Sequence, residues 1–236
     1  MPELPEVEIT RRGLLPDVVG ARVSAVTLRA PALRYPLPAG LAAHISGKVL
    51  RDIRRRGKYL LFRFDNGALL LHLGMSGSLR IVAPTLAPEK HDHVDIAFDS
   101  KAGTKLLRLR GPTRFGALLW VGGEPRTHPL LAPLGLEPLA DAFTAQWLYQ
   151  QTRGLKASIK VTLMDSHRIV GVGNIYASES LYRAGIDPRR AAGKISLQRM
   201  ERLVPAIKET LTAAIQAGGS SLRGFIHSHG GSGDFL

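Results

Sequence analysis

Apolar positions come as short β-rich runs in the first half of the chain and at three- and four-residue spacing in the second. At the start, Leu4, Val7, Leu14 and Leu15 form the stripe of an amphipathic helix that ends between Gly13 and Gly20. Arg22 to Arg29 reads as a strand, broken by three prolines between Pro31 and Gly40. Tyr59 to Phe64 and Ala68 to Leu73 flank Asp65-Asn66-Gly67, a strong hairpin signal. Further strands are predicted at Val94 to Phe98, Lys105 to Arg110 and Phe115 to Val121. Four prolines and little periodicity mark Pro125 to Pro138 as a linker. Beyond it come helices at Ala142 to Thr152, Lys156 to Met164 and Ile175 to Ala184, the last with Asn174 as N-cap and Gly185 as stop. Leu197, Met200, Leu203, Val204, Ile207, Leu211, Ala214 and Ile215 predict a final amphipathic helix, which Pro205 should kink or break. The tail from Gly218 to Leu236 is rich in glycine and serine and reads as a loop.

Composition adds a partner. A formal charge of +13 and a pI near 10.6 point to an anionic surface, with nucleic acid first, since phosphate contacts by Lys and Arg dominate such binding. Between Lys48 and Arg63 stand eight charged residues, seven of them basic. Lys58 follows Gly57 at the mouth of a strand, where it is either part of a solvated rim or aimed at a phosphate or reaction centre. Cysteine is absent, so no disulfide and no thiolate metal site can form within the chain. No apolar run reaches membrane-spanning length, and Met1-Pro2-Glu3 is acidic where a secretory signal would be basic. A soluble, cytoplasmic protein is expected.

Several residues could carry chemistry. Once Met1 is removed, Pro2 bears a secondary amine, and an α-amino group with a pKa of roughly 7.7 to 8.0 is partly unprotonated at neutral pH. Such an amine can attack a carbonyl-like carbon to form an iminium. Glu3, Glu6 and Glu8 follow, and a glutamate beside the nucleophile is placed to pass a proton. Taken alone, the stretch fits equally well a helix start with proline in the first turn and acidic residues at the dipole's positive end. Met75 lies within Gly74-Met75-Ser76-Gly77-Ser78, where it is core filler or a wedge entering a gap left by a displaced base. Arg114-Phe115 at a turn tip offers a cation and an aromatic wedge, although Phe115 could pack under the sheet. His91-Asp92-His93 lacks a fourth ligand at metal spacing, so no metal site is predicted and His91 is read as a phosphate contact. The glycine turn before Asn174 should offer backbone N–H groups to a phosphate.

Together these segments resemble the formamidopyrimidine-DNA glycosylase / endonuclease VIII family of bacterial base-excision repair. PELPEVE, RRGKYL around Lys58, HLGMSGSLR from His72, EKHDHVD from Glu89, the Arg114-Phe115-Gly116 tip and GVGNIYASESL from Gly171 occur in the family's order. Leu4 and the Met75 loop look like the formamidopyrimidine branch, since the endonuclease VIII branch has glycine in place of Leu4. The resemblance implies an α+β fold: an N-terminal β-sandwich with a leading helix over 1–124, a linker over 125–141, and a helical domain with a helix-two-turn-helix motif over 142–236. It implies damaged duplex DNA as partner and oxidised purines as substrates. Pro2 would attack C1′ of the flipped nucleotide, Glu3 would protonate the sugar, Glu6 would complete the catalytic set, and Lys58 would serve β-elimination. Met75 and Phe115 would fill the gap; His91, Arg114, Lys156, Lys160 and Asn174 would hold phosphates; Ser221 and Arg223 would lie in a loop over the damaged base. A monomer associated with the bacterial nucleoid is implied.

Two departures stand out. The family's Asp-Pro-Arg-Arg-Phe-Gly tip is here Gly111-Pro112-Thr113-Arg114-Phe115-Gly116, so Thr113 replaces the arginine that faces the orphaned cytosine, and cytosine preference is in doubt. The family's zinc finger would bind Zn through four cysteines; this chain has none, so no cofactor is expected, and weakened DNA binding with impaired δ-elimination is. An oxidised-pyrimidine glycosylase and a catalytically inactive DNA-binding relative are the alternatives; Pro2, Glu3 and Lys58 together favour an enzyme.

Overall fold

A computed structural model of the protein describes residues 1–220 and 229–230. Its leading helix is α1 (Leu4–Val18). Eight strands follow: β1 (Arg22–Leu28), β2 (Asp52–Arg56), β3 (Tyr59–Phe64), β4 (Gly67–His72), β5 (Ser78–Val82), β6 (Asp92–Ser100), β7 (Gly103–Arg110) and β8 (Ala117–Val121), with a short helix α2 (Leu41–Ile45) between β1 and β2. The last part holds α3 (Ala145–Thr152), α4 (Ile159–Leu163), α5 (Asn174–Ala184) and α6 (Leu197–Gln216).

The strands form two antiparallel four-stranded sheets, ordered β1-β6-β7-β5 and β2-β3-β4-β8. Side chains alternate across a strand, so Leu60, Phe62, Leu69 and Leu71 meet Ile96, Phe98, Leu107 and Leu109 of the other sheet in the core. The intervening Leu61, Ala68 and Leu70 point the other way, yet they too are buried, under Leu131. That accounts for the unbroken apolar runs of β3 and β4. It also corrects the linker reading: part of the proline-rich stretch is a cover over the outer face of a sheet.

The β3–β4 hairpin pairs Phe64 with Gly67 across Asp65-Asn66. Gly67 has φ of 152°, and a Cβ there would lie 2.5 Å from the Val121 carbonyl oxygen, so the turn and the neighbouring strand both require glycine.

Several boundaries differ from the sequence reading. Strands β2 and β5 and helix α2 were not expected. In β2 only Ile53 is apolar, and pairing with β3, not periodicity, makes Asp52–Arg56 a strand. Strand β8 starts at Ala117, leaving Phe115 outside the sheet. Helix α4 begins only after Ser158, whose hydroxyl accepts from the Val161 N–H at 3.3 Å, so Lys156 lies in the irregular segment before it. Pro205 neither breaks nor ends α6, which runs unbroken to Gln216. Pro205 is exposed, so the carbonyl left without an N–H donor faces water instead of a core.

Helices α3 to α6 bury Leu148, Leu163, Tyr176, Met200, Leu203 and Ile207 in a second core. Between the two cores lies α1, packed on α6 on one side and on β2, β3 and β5 on the other. The Leu4 N–H donates to the Gly171 carbonyl at 2.9 Å, anchoring the N-terminus at the entrance to α5.

Candidate active site

Glu3 is 1% exposed and faces the N-terminus of α5. Its carboxylate accepts from the backbone N–H groups of Gly173 (2.7 Å), Ile175 (2.9 Å) and Tyr176 (3.4 Å). This corrects two expectations. The N-cap is Gly173, with Asn174 the first helical residue, and the anion taking these donors is Glu3, not a DNA phosphate. The Asn174 side chain stays exposed. A Cβ on Gly173 would sit 2.4 Å from the Glu3 carboxyl carbon, so glycine is what lets the carboxylate reach the helix. Burial raises the Glu3 pKa above its usual 4.5, against the N–H donors and the nearby Lys58.

Glu6 closes the same site from the next turn. It accepts from the Glu3 N–H at 2.9 Å, the Tyr176 hydroxyl at 2.6 Å and the Ser220 N–H at 2.9 Å. Burial and the neighbouring Glu6 hold the Tyr176 hydroxyl far above its ordinary pKa, so it stays a donor. Sequence reasoning missed Tyr176, because the GVGNIY segment was read for its backbone alone.

Lys58 occupies the second place of the two-residue turn between β2 and β3, after Gly57 at φ of 56°. Burial lowers its pKa from 10.5, while Glu3 and Glu6 pull the other way. Lys58 lines a cavity of about 250 Å³ with Met1, Tyr59, His72, Met164 and Gly171. His72 accepts from the Gly74 N–H at 3.0 Å through Nδ1. Burial first, then Lys58 and Arg34, push its pKa down to about 4, so the ring is neutral at physiological pH. The structure therefore brings Glu3, Glu6 and Lys58 around the N-terminus, with Pro2 itself buried.

A second cluster lies on the loops after β4 and β7. Met75 is 54% exposed and Phe115 is 56% exposed, so neither is core filler. The loops are tied: the Ser76 and Thr113 hydroxyls are 3.0 Å apart, and a Cβ on Gly74 would sit 2.6 Å from the Phe115 carbonyl carbon. Arg114, at φ of 55°, is the one non-glycine residue in the left-handed region among the described residues. His91 sits beside this tip, its carbonyl accepting from the Gly111 N–H at 3.0 Å. Asp92 and His93 are buried, with His93 Nε2 2.9 Å from the Gly111 carbonyl. Arg108, 2% exposed, forks onto Asp95 and donates to the Leu86 and Ala87 carbonyls, fixing the loop that leads to His91.

Lys156, before α4, is exposed, and Lys160, in its first turn, is half-buried. Ser221 and Arg223 lie outside the described residues. Without cysteine the chain cannot build the four-thiolate zinc site that the resemblance implies, and the described residues hold no cluster of three or more metal-ligating side chains. No helix among them is long and apolar enough to cross a membrane.

Known proteins match along the whole chain. The profile of the formamidopyrimidine-DNA glycosylase N-terminal domain matches residues 1–118, and that of its H2TH domain matches residues 134–225. The formamidopyrimidine-DNA glycosylase of Aromatoleum aromaticum is 56% identical over 100% of this chain and 85% of its own length; that of Dechloromonas aromatica is 53% identical over 100% and 86%. Among solved structures, the MutM (Fpg) protein of Thermus thermophilus superposes with a TM-score of 0.86 at 36% identity, covering 99% of this chain and 84% of that one. Lactococcus lactis Fpg bound to DNA containing an abasic site gives 0.85 at 32% identity, covering 98% and 84%. The chain belongs to the formamidopyrimidine-DNA glycosylase family.

Proposed function

We propose that this chain, a base-excision repair glycosylase with abasic-site lyase activity by family, removes oxidised purines through a Schiff base on Pro2. The observation carrying this reading is the Glu3 carboxylate, sealed against α5 next to Pro2 and within electrostatic reach of Lys58, whose cavity Met1 lines. Removal of Met1 would convert the Pro2 nitrogen from an amide to a secondary amine bordering the Lys58 cavity.

In the proposed sequence that amine attacks C1′ of an extruded nucleotide and the base leaves. Glu3, whose burial favours the protonated form, gives a proton to the ring oxygen, the sugar opens, and an iminium remains on Pro2. Lys58, its ammonium disfavoured by burial, serves proton transfer in the β-elimination that expels the 3′ phosphate. Met75 and Phe115 take the place of the extruded base. His91, Arg114, Lys156, Lys160 and the Asn174 side chain hold the phosphates, and damaged duplex DNA, already bound in the solved Fpg complexes, is the partner. We assign the protein to the bacterial nucleoid as a monomer.

Borohydride trapping on an 8-oxoguanine duplex tests this reading, with Pro2→Gly alongside and intact mass reporting Met1 removal. A covalent adduct should form with Met1-free parent protein and not with Pro2→Gly. A duplex panel carrying oxidised pyrimidines separates the alternative substrate class. No adduct from Met1-free parent protein would sink the proposal.

A further inference from the structure

Lys58 stands at the tip of a two-residue turn, where backbone freedom is ordinarily greatest, yet proton transfer demands a fixed amine. What fixes the tip is Glu137, from the proline-rich stretch between β8 and α3. Its Oε1 accepts from the Gly57 N–H at 2.7 Å and from Arg56 Nη1 at 3.2 Å, and its Oε2 accepts from Arg55 Nη1 at 2.9 Å. The same Arg55 nitrogen donates to the Gly57 carbonyl at 3.0 Å, so both polar groups of the residue before Lys58 are held by one ion pair. Arg55 also reaches α1, its Nε donating to Glu8 Oε2 at 3.2 Å. A continuous path of charged hydrogen bonds therefore runs from α1, the helix that follows Pro2, through Glu8, Arg55 and Glu137, to the turn that carries Lys58. Arg55 is buried enough, at 13% side-chain exposure, for this pairing to escape most solvent screening.

We propose that Glu137 is a positioning residue for β-elimination: through Arg55 and the Gly57 backbone it sets the Lys58 amine against Pro2. The proposal rests on the Pro2 and Lys58 roles given above. It distinguishes two steps of one reaction, because attack by Pro2 does not need Lys58 in register and elimination does. Glu137 also supplies the negative charge that balances Arg55 and Arg56 beside Lys58. Its neutralisation leaves cations near an ammonium and pushes the Lys58 pKa further down.

The test compares Glu137→Gln, Glu137→Ala, Arg55→Lys and Lys58→Ala with the parent on a duplex carrying a preformed abasic site. Single-turnover nicking, borohydride-trapped adduct and the pH profile of nicking are followed. Glu137→Gln should nick about tenfold more slowly, with trapping undiminished and with the limb of the pH profile that Lys58 sets moved to lower pH. Glu137→Ala should do so more strongly. Arg55→Lys, which keeps the charge but loses the fork to Glu8 and Glu137, should act in the same direction even if Glu137→Ala folds poorly. Parent-like nicking and pH profile in Glu137→Gln and Arg55→Lys, with Lys58→Ala impaired, would overturn the positioning role alone. Equal loss of trapping and nicking would mark a merely structural carboxylate and overturn it too. Parent-like nicking by Lys58→Ala would instead remove the Lys58 role beneath it.

Discussion

Ser76 and Thr113 join the two exposed apolar residues of the site into one body. Their hydroxyls lie 3.0 Å apart, and the Thr113 N–H donates back to the Ser76 oxygen at 3.3 Å. Met75 stands beside the first residue and Phe115 two beyond the second. In the proposed role of Met75 and Phe115 as a wedge, two loops already joined lose less freedom on entering DNA.

This pairing predicts the opposite-base behaviour. The Thr113 hydroxyl is engaged with Ser76, which leaves Arg114 as the tip's one cation. A bidentate contact to a base edge discriminates by roughly 1 to 3 kcal/mol, and Thr113 cannot form one. Excision of 8-oxoguanine opposite each of the four bases should therefore vary by less than about tenfold, and Thr113→Arg should widen the spread. Ser76→Ala should slow excision opposite every base alike, by the severalfold worth of one net hydrogen bond of about 1 kcal/mol. A parent enzyme with strong cytosine preference would contradict the first expectation.

Local chemistry was legible in the sequence where it decided local structure. Asp65-Asn66-Gly67 specified its hairpin, because turn residues and flanking apolar runs agreed over a dozen positions. Met75 and Phe115 were readable as exposed side chains, because glycines and a turn tip leave large side chains nothing to pack under. Long-range partners were not legible. Glu3 and Gly173 meet across 170 positions, and only the fold shows that the helix start looking like a phosphate cradle is filled from within. Asp52–Arg56 has one apolar residue, so its strand character comes from its partner β3. Glu137 sat in a proline-rich stretch that periodicity could not resolve, and its importance lies wholly in what it touches.

Glu3→Gln separates burial from chemistry. Glutamine keeps the volume and can accept one or two of the α5 N–H bonds, but it cannot deliver a carboxyl proton. Excision should fall by about 10² or more, the usual worth of a positioned proton donor, while affinity for a duplex with an uncleavable abasic analogue changes little. Gel-shift titration beside single-turnover excision checks both halves, and comparable losses in binding and excision would contradict the assignment.

The buried imidazole of His72 makes stability depend on pH. Its pKa of about 4 lies below the ordinary 6.5, so between those values the unfolded chain binds a proton that the native one does not. The unfolded state then gains as acid is added. Stability contributed by neutral His72 is fully present above about 6.5 and is lost as pH falls toward about 4, with a slope of at most about 1.4 kcal/mol per unit. His72→Asn offers an amide oxygen to the Gly74 N–H and does not titrate. Thermal midpoints measured from pH 7 to 4 should fall less steeply for the variant than for the parent; parallel curves would show that His72 is not the group responsible.

The phosphate assignments are distinguished from the chemistry by salt. Lys156 is exposed in the irregular segment before α4, and Lys160 follows within its first turn, so each can meet a phosphate without touching Glu3 or Lys58. Binding that neutralises a phosphate releases counterions, and each contact contributes about 0.9 to the slope of log affinity against log salt. Lys156→Ala and Lys160→Ala should each lower that slope by about 1 and weaken damaged and undamaged duplexes alike. Excision at saturating protein should stay at the parent rate, because no reacting atom loses a partner. Asn174→Ala should behave differently. An uncharged amide releases few counterions, so affinity should fall with the salt slope nearly unchanged, and a full unit of lost slope would mean that this variant displaces a cation from the interface.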